Sequence, residues 1–158
     1  AILVKTDLWI VKRVCDSNVK SKIILRLLLV NILNNKLKNN VITFLGVTFK
    51  PNTDDMREAS SIPMIKYLNK NNSKIRYHDP SGEKNEFKNL KNVKYYKDIP
   101  SACLNSDLIV LHTEWNDFRL LNFKKLVKKS NFKIFDMRNM YSTSKMKNLK
   151  IKYFGIGR

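Results

Sequence analysis

Apolar residues recur along this chain in two different rhythms. Residues 7–15 set Leu8, Val11, Val14 and Cys15 at helical spacing, and residues 21–33 are apolar nearly all round, which predicts two helices, the second buried on several sides. The Lys-Asn segment 34–40 has no periodicity and reads as a helix end and connector, with a boundary near residue 40. The rhythm then changes. Val41 to Val47 is a short β-rich run ending near a glycine, the signature of a strand covered on both faces of a parallel sheet. A helix is predicted over about 60–71, with Ile62, Ile65 and Leu68 on one face and Pro63 tolerable in its first turn. Strands follow at 74–78 and 93–96, a short helix at 98–105, and a second buried strand at 107–112. The remaining elements are a helix at 123–129 and strands at 133–135 and 151–154. Strands alternating with short helices give an α/β fold, a doubly wound and mostly parallel sheet preceded by helices, whose ligands sit beyond the carboxyl ends of the strands.

Composition narrows the picture without redirecting it. The 158 residues are 43% hydrophobic and 28% charged, with four Gly and four Pro, which suits one folded domain with a short extra element. The formal charge of +18 raises nucleic acid or an anionic membrane as partners. The lysines, however, are spread through Lys-Asn patches such as 34–40 and 84–89 instead of forming one stripe interleaved with aromatics, so nucleic-acid binding is not favoured. The run from Ile23 to Leu33 is broken by Arg26 and Asn31 and falls short of the ~20 apolar residues of a membrane span. Two cysteines, Cys15 and Cys103, carry neither metal-ligand nor disulfide spacing and point to a reducing cytoplasm. The start at Ala1 has no secretory pattern, and the chain reads as truncated.

Candidate chemistry lies in three loops that follow strands: 48–58, 113–119 and 136–141. Together they are expected to carry Lys50, Arg57, Arg119 and Arg138 on one rim suited to a diphosphate, since Arg grips phosphate in a planar fork and Lys acts as a point charge. No G-x-G-x-x-G or P-loop follows any strand, so the phosphates must be held by side chains. Asp55 and Glu58 have capping-box spacing for a helix start and could also hold Arg57 in place. His78 and His112 read as structural; Trp115 and Phe118 read as loop packing more readily than as a base-stacking pair.

The stretch Gly46-Val47-Thr48-Phe49-Lys50-Pro51-Asn52-Thr53-Asp54-Asp55-Met56-Arg57-Glu58, followed by Asp79-Pro80, Thr113-Glu114-Trp115, Asp136-Met137-Arg138-Asn139 and the terminal Gly155-Ile156-Gly157-Arg158, resembles the UDP-glucose/GDP-mannose dehydrogenase family. The resemblance covers 41–158 as the family's carboxy-terminal UDP-sugar-binding domain, with a Rossmann-like sheet, and 1–40 more weakly as the end of its central helical dimerisation segment. It implies oxidation of UDP-glucose to UDP-glucuronate by two NAD through a cysteine thiohemiacetal and thioester, in a homodimer. By similarity Phe49, Lys50 and Arg138 bind the substrate, and Arg57 reaches NAD bound mainly by a separate domain. Counting back along the family's catalytic box sets its lysine at Lys5, its nucleophilic cysteine at Ile2 and its acid at Thr6, so no catalytic residue is assigned and this chain alone should be inactive. Cys15 and Cys103 lie outside the box and read as buried thiols. Met137 stands where the family more usually has glycine and adds bulk beside Arg138. The alternatives are a UDP-N-acetylmannosamine or GDP-mannose enzyme, or a non-catalytic nucleotide- or polyanion-binding descendant.

Overall fold

A computed structural model describes residues 20–157. The helix expected over 7–15, together with Ile2, Lys5, Thr6 and Cys15, lies outside the described residues. Helix α1 covers 20–32, and then strands and helices alternate: β1 (Val41–Leu45), α2 (Ser61–Lys70), β2 (Lys74–His78), β3 (Val93–Tyr95), α3 (Ile99–Cys103), β4 (Leu108–Leu111), α4 (Phe123–Val127), β5 (Lys133–Asp136), α5 (Thr143–Asn148) and β6 (Lys152–Gly155). The six strands form one sheet in the order β3-β2-β1-β4-β5-β6, every neighbouring pair parallel. The chain therefore runs outward from β1 to β3, crosses back, and runs outward again from β4 to β6. The direction reverses between β1 and β4, a topological switch point at whose carboxyl end ligands of such sheets bind.

The unbroken apolar runs of β1 and β4 follow from burial on both faces. Ile42, Phe44, Leu108 and Val110 point into one core with Leu29, Ile32, Met64, Ile65 and Leu68 of α1 and α2. Leu45, Ile109 and Leu111 point the other way, against Cys103, Phe123, Val127 and Met146 of α3, α4 and α5. This period of two is the strand geometry itself, one residue to each face in turn. Thr43, fully buried on the second face, keeps its hydroxyl bonded to the Ala102 carbonyl at 2.9 Å and to Ser106 Oγ at 2.7 Å, so its burial leaves no unpaired group.

Three expectations are corrected. Among the described residues helix α1 is covered on one side only: Leu29, Ile32 and Leu33 are buried, whereas Ile24 and Leu27 are 55% and 58% exposed, because the sheet offers the helix a single face. The capping box at 55–58 does not form, since Glu58 adopts a left-handed φ of +61° and the helix begins only at Ser61. Helix α5 was not expected. It is six residues long with Met146 its one buried apolar residue, too little for a periodic signal, and it is started by Ser142, whose Oγ accepts from Lys145 N.

Among the described residues no helix is long and apolar enough to cross a membrane.

Candidate functional site

At the switch point the loops after β1 and β4 meet at Gly46. Its φ is +76°, and an added Cβ would stand 2.6 Å from Thr113 Cβ, so only glycine lets the two backbones approach this closely. Thr113 Oγ1 then donates to Thr48 O at 2.7 Å, fastening the first loop to the second. A third fastening comes from β2. The fully buried carboxylate of Asp79 accepts from Val47 N at 2.7 Å and Thr48 N at 3.3 Å with one oxygen, while the other accepts from Ser81 N at 3.0 Å. A carboxylate with several N–H donors at one strand end holds its neighbours' loops at fixed height.

The loop 48–58 closes on itself where Phe49 N donates to Asp55 O at 2.9 Å. Asp55 does not cap a helix. Its Oδ1 accepts from Arg57 N at 2.9 Å and Arg57 Nε at 3.0 Å, and its Oδ2 from Arg57 Nη2 at 2.9 Å, a bidentate grip on a guanidinium otherwise turned to solvent. Those hydrogen bonds, helped by the charges of Arg57 and Lys50, hold the Asp55 carboxyl down at about 2. Glu58 forms an ion pair with Lys22, tying the loop to α1.

Arg138 follows β5 and crosses all three loops. Asp136, buried at the strand end, accepts from Arg138 N at 3.0 Å with Oδ1, and from Tyr141 N at 3.1 Å and Tyr153 OH at 2.8 Å with Oδ2. From this anchored turn the Arg138 guanidinium donates through Nε to His112 O at 2.8 Å and through Nη2 to Phe49 O at 3.3 Å. Glu114 Oε2 stands 2.8 Å from the same Nε but makes no aligned hydrogen bond, so it contributes charge to Arg138 without taking its donors. Asn139 closes the rear of the site with a reciprocal pair, its Nδ2 donating to Ile156 O at 3.1 Å and its Oδ1 accepting from Ile156 N at 3.2 Å.

His112 is buried beneath this arrangement. Thr113 Oγ1 spends its proton on Thr48 O, so it accepts from His112 Nδ1 at 3.0 Å, and Nε2 accepts from Ser60 Oγ at 2.9 Å. The hydroxyl of Ser60, at the N-cap of α2, therefore serves the histidine and makes no cap bond. Burial, and secondarily the charge of Arg138, push His112 down to about 3, so the ring is neutral.

The four expected cations separate into two pairs. Lys50 and Arg57 flank Asp55 on the first loop. Arg119 and Arg138 line one cavity of about 430 Å³ with Glu114 and Asn139, and Arg138 also borders a second, of about 240 Å³, with the half-exposed Phe49, Ser60 and His112. Phe49 and Arg138 are thus brought together, with Lys50 exposed next to them. Trp115 packs on the second core and Phe118 is buried in it, its ring edge-on to His78 at 6.1 Å. Asp79, Thr113, Asp136 and Asn139 stood out in the sequence only as members of the family-like motifs, without a supporting role; an acidic residue directly at a strand's end was the available signal for Asp79 and Asp136.

The six parallel strands, the reversal of direction and the polar loops gathered at it define a Rossmann-like nucleotide-binding domain. Residues 43–143 match the profile of the UDP-glucose/GDP-mannose dehydrogenase family, UDP binding domain, and the chain belongs to that family. It is 34% identical over 157 residues to UDP-glucose 6-dehydrogenase of Rickettsia prowazekii, covering 97% of this chain and 36% of that protein. It is 35% identical over 125 residues to the UDP-glucose 6-dehydrogenase of Rhizobium meliloti, covering 77% of this chain and 28% of that one. The chain spans about a third of the length of these relatives. Among solved structures, the NDP-N-acetyl-D-galactosaminuronic acid dehydrogenase of Methanosarcina mazei superposes with a TM-score of 0.71 at 24% identity over 88% of this chain and 29% of its own. The UDP-glucose dehydrogenase of Pyrobaculum islandicum gives 0.65 at 22% identity over 86% and 29%. These structures support the fold.

Proposed function

We propose that this chain is the UDP-sugar-binding part of a UDP-glucose 6-dehydrogenase, with Arg138 holding the nucleotide-sugar and Phe49 and Lys50 contacting it. The observation that carries the reading is Arg138 itself, fastened by Asp136 and by two carbonyl acceptors across the switch point, with cavities on either side of it. A guanidinium ordered before ligand arrives loses little freedom on gripping a phosphate. Toward NAD the chain offers Arg57, presented outward in the Asp55 clamp, which suits a contact with a cofactor held mainly by another part of the protein. When bound, NAD takes up the hydride; the residues of this chain bind and orient.

Cys103 is buried and its thiol is pushed up to about 12 by that burial, which leaves it no thiolate to act as a nucleophile. The reading therefore gives this chain binding without turnover. It also includes a cytoplasmic location and a homodimer through the exposed apolar side of α1.

Calorimetric titration of the 158-residue chain with UDP-glucose, UDP and GDP-mannose at moderate salt tests the proposal. Selective uridine-nucleotide binding is expected, weakened about ten- to a hundredfold by Arg138→Ala, since a charge-assisted phosphate contact is worth roughly 1.5–3 kcal/mol. Equal affinity for GDP-mannose and UDP-glucose, or unchanged affinity in the variant, would overturn it.

A further inference from the structure

At the opposite, amino-terminal ends of β5 and β6 two consecutive loops, α4–β5 and α5–β6, enclose a cavity of about 450 Å³. Five exposed lysines line it, Lys124, Lys128, Lys129, Lys150 and Lys152, and no acidic residue does. We propose that this cavity is a second anion site, which takes a compact phosphate chain such as inorganic triphosphate or the phosphate tail of a nucleotide.

Lysines near helix C-termini ordinarily answer the helix dipole, and the size of that effect can be compared with the charge present. The C-terminal ends of α4 and α5 carry roughly half a negative charge each. Among the described residues the one carboxylate paired with these lysines is Asp107, held by Lys129. Against five positive charges the local compensation is about two, which leaves an excess near three with no acidic partner among the described residues. Such an excess persists at a concave surface at a cost in mutual repulsion that a multivalent anion removes.

Backbone geometry points to the same place. Among the described residues eleven non-glycine positions have positive φ, and eight of them are Asn, the residue that tolerates it best. Lys128, at φ +50°, and Lys150, at φ +55°, are two of the three exceptions, and both line this cavity. Buried Phe132 and Ile151 give it a firm floor, and Ser130 and Asn131 add neutral donors at its rim. Its volume lies in the ~300–1,000 Å³ range of small-molecule sites. Lysine sets no angular demand on phosphate, so the site reads charge density in a small volume and not the shape of a base. A half-open cleft bounded by two short loops suits a compact ligand better than an extended polyanion.

The test uses Lys128→Asn/Lys150→Asn, which removes two charges and keeps a residue at ease in the left-handed region. Lys91→Asn/Lys97→Asn, at two exposed lysines elsewhere, is the charge-matched control. Calorimetry with sodium tripolyphosphate, and separately with ATP, is run at a fixed ionic strength of about 0.15 M. One-to-one saturable binding is expected, weakened at least tenfold in the first variant and less than twofold in the control. Equal affinity for the two probes is expected, because the phosphate chain alone is read, and ATP binding more than tenfold tighter would overturn that reading. Absence of saturation, equal losses in both variants, or tighter binding of a single-stranded oligonucleotide that grows with its length would overturn the proposal.

Discussion

Gly46→Ala probes how tightly the two loops cross at the switch point. The new Cβ would meet Thr113 Cβ at 2.6 Å, Oγ1 at 3.0 Å and N at 3.1 Å. Thr113 is fully buried, stiff at χ1 as a β-branched residue, and bonded through its hydroxyl to Thr48 O, so relief requires movement of the backbone. Placing an L residue at φ +76° costs about 1–2 kcal/mol. Overpacking a closed site adds roughly 1–3 kcal/mol. The total, about 2–5 kcal/mol, corresponds to a melting temperature lower by about 4–20 °C, at roughly 2–4 °C per kcal/mol for a domain of this size. Gly82 supplies the internal control: its φ is +93° and a Cβ there meets nothing within 4 Å, so Gly82→Ala carries the backbone cost alone. Thermal denaturation followed by circular dichroism should rank the variants parent, Gly82→Ala, Gly46→Ala, and Gly46→Ala/Thr113→Gly should recover part of the steric loss. A Gly46→Ala chain that melts within a degree of Gly82→Ala would refute the reasoning, because the close approach would then carry no energy.

Other tests address the supports of the site. His112 stays neutral when folded, with its titration moved from 6.5 to about 3, so below pH 6.5 the unfolded chain takes up a proton that the folded one refuses. Stability should therefore fall as pH drops from 6.5 toward 3, by on the order of 4–5 kcal/mol in all. Denaturant titrations of His112→Leu across this range should show a flatter dependence, and parallel curves would contradict the burial argument. Asp136→Ala removes the acceptor of two backbone N–H groups and one of the two acceptors of the Tyr153 hydroxyl, and should cost at least about 2 kcal/mol in urea unfolding while weakening UDP binding through Arg138. In a Cys15→Ser background, Cys103 should ignore a thiol reagent at pH 8 until the chain is unfolded; rapid native labelling would mean that its core is open. Sedimentation at micromolar concentration should give a dimer that Ile24→Glu/Leu27→Glu converts to monomer, and a monomeric parent would remove the role given to α1.

The sheet was legible in the sequence wherever burial on two faces left an unbroken apolar run, as in β1 and β4, and there the predicted and observed ranges differ by two residues or fewer at each end. Helix α5 was not, because six residues with one buried side chain have no period to read. In the site, Arg138 was marked by its place after a strand and Phe49 by the resemblance to the family, and their contact is seen only once the fold sets β1 beside β4 and β5. Asp55 and Glu58 offered two readings, a capping box and a hold on Arg57, and Asp55 takes the second. Both readings are local in sequence, and the charged guanidinium wins because its hydrogen bonds are stronger than those of a cap. The pairing of Ser60 with His112 lies 52 residues apart in sequence and had no local signal.

The asparagines at left-handed turns have a consequence for the unfolded chain. A glycine at each of those eight positions would fit the native backbone equally well, but would leave the denatured ensemble many more conformations to lose. By turning corners with asparagine and keeping only four glycines in 158 residues, the chain narrows its own disorder before folding begins. The abundance of asparagine thus supplies side chains suited to these left-handed bends, so the composition of the chain and its fold pull in the same direction.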